Sequence, residues 1–210
     1  MIAFHFDFIS PYAYLAWTQI HALAARHGQE VEPVPTLLAA LLAHGQTKGP
    51  AEIPAKRVYM MTDTVRIARS LGVPFEPPAS HPFNPLLPLR VATVEPKTID
   101  ALFQAVWAKS TKVDTDEAIA GVLDASGFSG SDLVAKAHQA ETKERLRSQT
   151  EAAIARGVFG VPTMFAKDQM FWGTDSLGHL ERHLAGEGID VAAEVRKWSH
   201  VRPTASRKVG

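Results

Sequence analysis

Ile2, Phe4, Phe6 and Phe8 alternate with Ala3, His5, Asp7 and Ile9, a period of two that predicts a strand with one strongly apolar face over residues 2–9. The pattern changes at Ser10. Residues 11–27 read as a helix, with Ser10 a good N-cap, Pro11 suited to the first helical position and Gly28 a plausible stop. Residues 30–35, with Val31 and Val34, read as a second short strand. Strand, helix, strand is a βαβ opening.

The middle has a different texture. Residues 36–46 are rich in Leu and Ala and suit a helix; Gly49-Pro50 and Pro54 interrupt it. Residues 55–71 place Val58, Met61, Val65 and Ala68 at helical spacing and end at Gly72. Pro74, Pro77, Pro78, Pro82, Pro85 and Pro88 mark a turn-rich loop. Helices are predicted over residues 86–94, 98–109, 115–126 and 131–156, with Thr98 and Thr115 as candidate N-caps. Strand character returns after Gly157. Residues 163–166 and 170–172 flank Lys167-Asp168-Gln169 as a short hairpin, and residues 175–185 form a helix ended by Gly186. Residues 201–210 are polar and basic, the pattern of a flexible tail. The order βαβ, helical block, ββα predicts one α/β sheet domain, residues 1–35 and 157–200, interrupted by an all-helical insertion, residues 36–156.

Composition narrows the function classes. A hydrophobic content of 46% over 210 residues supports a sizeable core. Lys+Arg and Asp+Glu are 22 each, so the chain lacks the positive excess of a general nucleic-acid or anionic-membrane binder. No apolar run approaches the ~20 residues that cross a bilayer. Met1 to His5 lacks the basic start of a signal peptide, and the expected location is the cytoplasm. With no cysteine there is no disulfide, no thiolate zinc site and no cysteine nucleophile.

Three short segments carry candidate chemistry. Ser10 at a helix N-terminus is an N-cap in the plainest reading. The same position also suits an anion, because the helix start carries partial positive charge and thiolates are among the anions it favours. A free thiol titrates near ~8.5, and each tenfold preference for its anion costs about 1.4 kcal/mol. Ser10 itself is a poor nucleophile, since no His or Lys base is assigned to it by spacing. Val161-Pro162 either begins an edge strand or forms a cis-proline loop whose Val161 N–H and C=O pair with an extended peptide. Thr174-Asp175-Ser176 either caps the following helix or binds a ligand carboxylate and ammonium. His179 and His183 share the i, i+4 spacing of helix metal ligands, but no carboxylate completes a zinc pattern, so they read as surface residues. His5 reads as a packed side chain. No Gly-rich phosphate loop is present.

The run Phe6-Asp7-Phe8-Ile9-Ser10-Pro11-Tyr12-Ala13-Tyr14-Leu15-Ala16 resembles the opening motif of 2-hydroxychromene-2-carboxylate isomerases. Residues 157–165, centred on Gly160-Val161-Pro162-Thr163, and Phe171-Trp172-Gly173-Thr174-Asp175-Ser176-Leu177 resemble their closing motif. The resemblance covers nearly the whole chain. It implies a thioredoxin-like fold of the DsbA type with a helical insertion, related to kappa-class glutathione transferases. It also implies glutathione as cofactor, with Ser10 on its thiolate and Val161, beside a cis Pro162, on its cysteinyl backbone. Thr174, Asp175, Ser176 and Leu177 would hold the γ-glutamyl end, where the family usually carries Asn-Asp-Arg in place of Thr174-Asp175-Ser176. The family reaction is a cis–trans isomerisation of an aromatic 2-oxo acid. Thiolate addition turns a double bond into a single one, rotation follows, and elimination returns the cofactor. Lys56 aligns with a lysine-rich stretch of the family and would bind the substrate carboxylate, with Arg57 and Lys48 as rivals. Tyr12 and Asn84 are further substrate-side candidates; Tyr12 could equally pack in the core and Asn84 could cap the next helix. A homodimer is the expected assembly. The rival functions are a kappa-like glutathione transferase and a non-catalytic thioredoxin-like binding module. A disulfide oxidoreductase is excluded by the absence of cysteine.

Overall fold

The computed structural model describes residues 1–187 and 191–205. Four strands form one mixed sheet: β1 (Ile2–Phe6), β2 (Val31–Pro35), β3 (Thr163–Ala166) and β4 (Gln169–Trp172), in the order β2-β1-β3-β4. β1 runs parallel to β2, with His5 opposite Val34, and antiparallel to β3, with His5 opposite Thr163. β2 lies at an edge of the sheet, which is where Pro33 and Pro35 cost no ladder bond.

Helix α1 (Pro11–Arg26) links β1 to β2. Between β2 and β3 come α2 (Leu38–His44), α3 (Pro54–Leu71), α4 (Leu86–Val94), α5 (Ile99–Ala108), α6 (Asp116–Ala125), α7 (Gly130–Ala137) and α8 (Ala140–Ala155). After β4 a short 3-10 turn, Thr174–Ser176, leads into α9 (Leu177–Leu184), and α10 (Val191–Arg196) follows. α1 packs on α3, α5 and α9. The alternation in β1 does what its pattern requires. Ile2, Phe4 and Phe6, with Phe8 beyond the strand, are fully buried, and Phe6 and Phe8 meet Phe103 of α5 at ring-centroid distances of 5.5 and 4.7 Å. One core is therefore shared by the sheet and the helical block. On the other sheet face Phe165 joins Leu41, Ala153 and Val158, and the Arg156 guanidinium sits 3.7 Å from the Phe165 ring centroid.

Five local expectations change. β1 stops at Phe6, because Asp7 turns the chain: its carboxylate accepts the Ile9 N–H and its carbonyl accepts the Ser10 N–H. The single helix expected over residues 131–156 is two, α7 and α8, broken at His138 and Gln139. α7 packs against α4 and α6 while α8 packs against α2, α4 and β2, contacts that one straight rod does not combine. Thr98 does not cap α5; its hydroxyl donates to the Glu95 carbonyl, and Glu95 caps the preceding 3-10 turn. Thr115 does cap α6, accepting the Ala118 N–H. The hairpin turn is Lys167-Asp168 alone, with Gln169 already in β4. α10 lies where no helix was expected. Residues 201–205 are exposed and outside any helix or strand; the rest of the expected tail, 206–210, lies outside the described residues.

Candidate active site

The parallel strands β1 and β2 end side by side, and the chain leaves β1 through a turn into α1. Ser10 caps that helix. Its Oγ accepts the Ala13 N–H at 3.2 Å, and its own O–H donates to the Val161 carbonyl at 3.4 Å. The first bond is the N-cap that the sequence predicts. The second is long, so this hydroxyl is readily redirected to a better acceptor. Ser10 is only 6% exposed, which keeps bulk water from competing for the hydroxyl.

The facing loop is the Val161-Pro162 segment, whose peptide bond is cis, as the sequence motif suggested. Its position is pinned on both sides. Thr163 Oγ1 donates to the Gly160 carbonyl at 2.7 Å, and the Gly173 N–H donates to the Pro162 carbonyl at 2.9 Å. The Val161 N–H finds no acceptor among the described residues, although Val161 is half-buried. An orphan N–H beside a weakly used carbonyl is an offer to an extended backbone.

The turn after β4 closes the third side. Thr174 Oγ1 donates to the Tyr12 carbonyl at 2.8 Å, tying this turn to the start of α1. Ser176 donates its hydroxyl to the Trp172 carbonyl. Both hydroxyl protons are thus used internally, and neither Thr174 nor Asp175 caps α9 through its side chain. Asp175 is exposed and its charge reaches Tyr12. Gly173 has φ 89°, and a Cβ there would collide with the Asp175 carboxylate, so glycine is required if Asp175 is to keep this position. The Leu177 side chain is buried in the core, leaving only its backbone for a ligand.

The substrate-side candidates are sorted by the structure. Tyr12 is half-buried and donates to Asp63 Oδ2 of α3 at 2.9 Å, so it bridges α1 to the helical block. Burial, helped by the Asp63 hydrogen bond, pushes its phenol above the usual range, so Tyr12 stays protonated and serves as a donor rather than a base. Asn84 caps the start of α4, accepting the Leu86 N–H, and is exposed. Lys56 and Lys48 are exposed, with no hydrogen bond or ion pair among the described residues. Arg57 is exposed too, but its charge acts on His81, whose ring touches the Ile9 carbonyl next to Ser10.

Several residues here escaped the sequence reading. Asp7 is completely buried; its carboxylate accepts the N–H groups of Ile9 and Leu38 at 3.1 and 2.9 Å, yet burial outweighs both and raises it to about 7. Trp107 donates its indole N–H to the Phe8 carbonyl at 2.8 Å. A carboxylate inside a buried aromatic run, and a tryptophan on an otherwise apolar helix, are the sequence signs that could have found them. His5 is buried beside Thr36, whose proton goes to Val34 O, so His5 Nδ1 is the donor between them. Burial, with Arg156 nearby, lowers His5 to about 4, in keeping with a packed and neutral ring. His179 is hydrogen bonded with Arg182, and His183 lies against Phe171. Grooves of about 690 Å³ between α5 and α6 and about 460 Å³ between α1 and α9 include neither Ser10 nor Val161. Neither includes the Ser10 turn, where a cap hydroxyl meets the cis-proline loop.

Comparison with known proteins identifies the family and the fold. The DSBA-like thioredoxin domain family matches residues 1–185. A 2-hydroxychromene-2-carboxylate isomerase from Pseudomonas putida is 32% identical over 86% of this chain and 92% of its own length. Glutathione S-transferase kappa 2 of Caenorhabditis elegans is 28% identical over 88% of this chain and 92% of its own. Among solved structures, a 2-hydroxychromene-2-carboxylate isomerase superposes with a TM-score of 0.81 at 29% identity, covering 94% of this chain and 98% of that one. No helix among the described residues is long and apolar enough to cross a membrane. A matching domain, matched length and a shared overall structure lead to one assignment: this chain belongs to the DSBA-like thioredoxin domain family and, within it, to the 2-hydroxychromene-2-carboxylate isomerases.

Proposed function

We propose that this protein is a glutathione-dependent cis–trans isomerase of a 2-hydroxychromene-2-carboxylate-like aromatic 2-oxo acid, serving the breakdown of aromatic compounds. One observation carries the reading: in a cysteine-free chain, a buried serine hydroxyl at a helix N-terminus faces a carbonyl beside an N–H that has no acceptor among the described residues. The residues suit glutathione. The free N–H and the carbonyl of Val161 match the backbone of its cysteinyl residue, and the exposed Asp175 matches its ammonium. When bound, glutathione supplies the nucleophilic sulfur that this chain does not possess.

The chain's own part is to bind, orient and polarise. Ala13 already donates to Ser10 Oγ, so the serine's remaining proton is the donor for a sulfur anion. The α1 N-terminus adds its partial positive charge at the same place. Lys56, or its neighbour Arg57, whose charge acts on His81, receives the substrate carboxylate, while Tyr12 holds α1 to α3 through Asp63. Calorimetric titration with glutathione, followed by turnover of unsaturated aromatic oxo acids, tests the reading. Heat release, a raised Tm and isomerised product with glutathione unconsumed are expected. No heat and no stabilisation at millimolar glutathione favour the non-catalytic binding module. The similarity to a protein named glutathione S-transferase kappa 2 supports a second reading, a transferase, which consumes glutathione stoichiometrically. Product analysis separates the two. A homodimer is part of the proposal, and sedimentation tests it.

A further inference from the structure

Ile9, the residue before Ser10, has both ends of its backbone held by side chains. Asp7 Oδ1 accepts its N–H at 3.1 Å, and His81 Nε2 lies 2.8 Å from its carbonyl oxygen. His81 arrives from the proline-rich loop between α3 and α4. Its ring stands edge-on to Trp107 of α5 at 5.5 Å and to Phe83 at 6.5 Å, and Trp107 holds the Phe8 carbonyl next door. A carbonyl oxygen only accepts, so Nε2 carries the proton. In the neutral ring Nδ1 is then a bare lone pair, and it is buried without a partner among the described residues.

We infer that His81 is a positioning residue for the reaction: by donating to the Ile9 carbonyl it fixes the turn that aims the Ser10 hydroxyl, so the helical block, and not the sheet alone, sets the geometry around the sulfur. The inference rests on the reading of Ser10 as the partner of a glutathione thiolate. The buried Nδ1 makes this brace conditional on the neutral ring. Adding a proton there creates an N–H with no acceptor, relieved only if the ring leaves its slot. Burial, opposed by the Ile9 bond and aided by Arg57 of α3, holds His81 below the ordinary histidine range. Trp107 and Phe83 bring no charge to it. The Tyr14 phenol of α1, which donates to the Pro74 carbonyl at the start of this loop, is raised by burial and neutral. Asp7, titrating at about 7 on the far side of Ile9, is the other ionisable group at this turn.

Two variants separate the brace from mere packing. His81→Phe keeps a ring against Trp107 and loses the donor. His81→Gln keeps an amide N–H for Ile9 and cannot titrate. Asp7 is the same in all three proteins, so differences among them belong to His81. The measurements are kcat and KM against pH, with the bound thiol's pKa read from thiolate absorbance. With His81→Phe, turnover is expected to fall about tenfold or more while KM changes little, and the thiol pKa moves toward the free value near ~8.5. With His81→Gln, most of the turnover returns, and the acid decline that remains follows the bound thiol's own titration, without the further loss that the wild type shows at lower pH. Wild-type turnover and thiol pKa in the Phe variant, or a Gln variant no better than Phe, overturns the inference. If the Phe variant does not fold, the Gln profile decides, and an acid loss beyond the thiol's own titration that matches the wild type's overturns it. Failure of the wild type to bind glutathione overturns the proposed function as well, whereas a wild type that binds alongside an indifferent Phe variant overturns this inference alone.

Discussion

Two turns lead from strand to helix at the candidate site, and they are built in opposite ways. The β1-to-α1 turn, residues 7–10, is buried and held from afar. Trp107 grips the Phe8 carbonyl, His81 the Ile9 carbonyl, and Asp7 reaches across to the Leu38 N–H. The β4-to-α9 turn, residues 173–176, is exposed at Asp175 and largely holds itself, with Ser176 bonded to Trp172 and a glycine at φ 89°. Its long-range tie is the Thr174 hydroxyl on the Tyr12 carbonyl. A turn whose Phe8 and Ile9 carbonyls are each fixed by a distant side chain has one geometry, which suits a donor that must meet developing charge. A turn that presents one exposed carboxylate suits recognition of a ligand's end. The first should govern turnover and the second affinity.

The largest expected effect probes how the first turn is built. Asp7 titrates at about 7 against an ordinary 3.8, so the folded state holds its proton to higher pH than the unfolded chain. Its contribution is therefore present in acid and is lost as pH rises from 3.8 to about 7. That gap is worth on the order of 4 kcal/mol. Asp7→Asn does not titrate, so in denaturant melts it should gain on the wild type by a few kcal/mol between about pH 4 and about pH 8. A constant difference at both pH values would show that the carboxyl is not held neutral by burial.

Next in size is the hydroxyl itself. Ser10→Ala should lower turnover by about 10²-fold, the scale of losing one positioned donor, with about 1 kcal/mol of stability lost from the cap. Undiminished turnover in steady-state assays removes Ser10 from the chemistry. The second turn should answer differently. Asp175→Ala should weaken glutathione binding about tenfold in calorimetry and leave kcat at saturating glutathione unchanged. A kcat loss as large as that of Ser10→Ala erases the distinction between the turns. The smallest effect belongs to the Tyr12 phenol, which ties α1 to α3. Tyr12→Phe removes the donor to Asp63 and should cost about 1 kcal/mol in a thermal or urea melt, since the pair is only half-buried. A several-fold change in KM for the aromatic substrate would place Tyr12 on the substrate instead.

The sequence was most legible where structure is local. Ser10 as a cap, Thr115 as a cap and the short hairpin all follow from nearest neighbours along the chain. It was least legible where a helix had to choose between partners. Residues 131–156 carry no proline that announces a break, and only the competing contacts of α7 and α8 divide them. The carry-over of hydroxyls at Thr174 and Ser176 also needed the structure, because both protons turn inward. Among the cations, the resemblance favoured Lys56 over Arg57 and Lys48, and of the three it is Arg57 whose charge acts on His81.

The amino-acid order alone settled the strand and helix types around the site, the serine at a helix start, the proline loop and the absence of any thiol. Those features depend on residues a few positions apart and on composition. Tertiary structure alone decided what surrounds the serine: Asp7 against Leu38, His81 against Ile9 and Trp107 against Phe8, contacts spanning 31, 72 and 99 residues. No periodicity encodes such meetings, because they arise when burial of apolar faces brings distant segments together and the buried polar groups must then find partners.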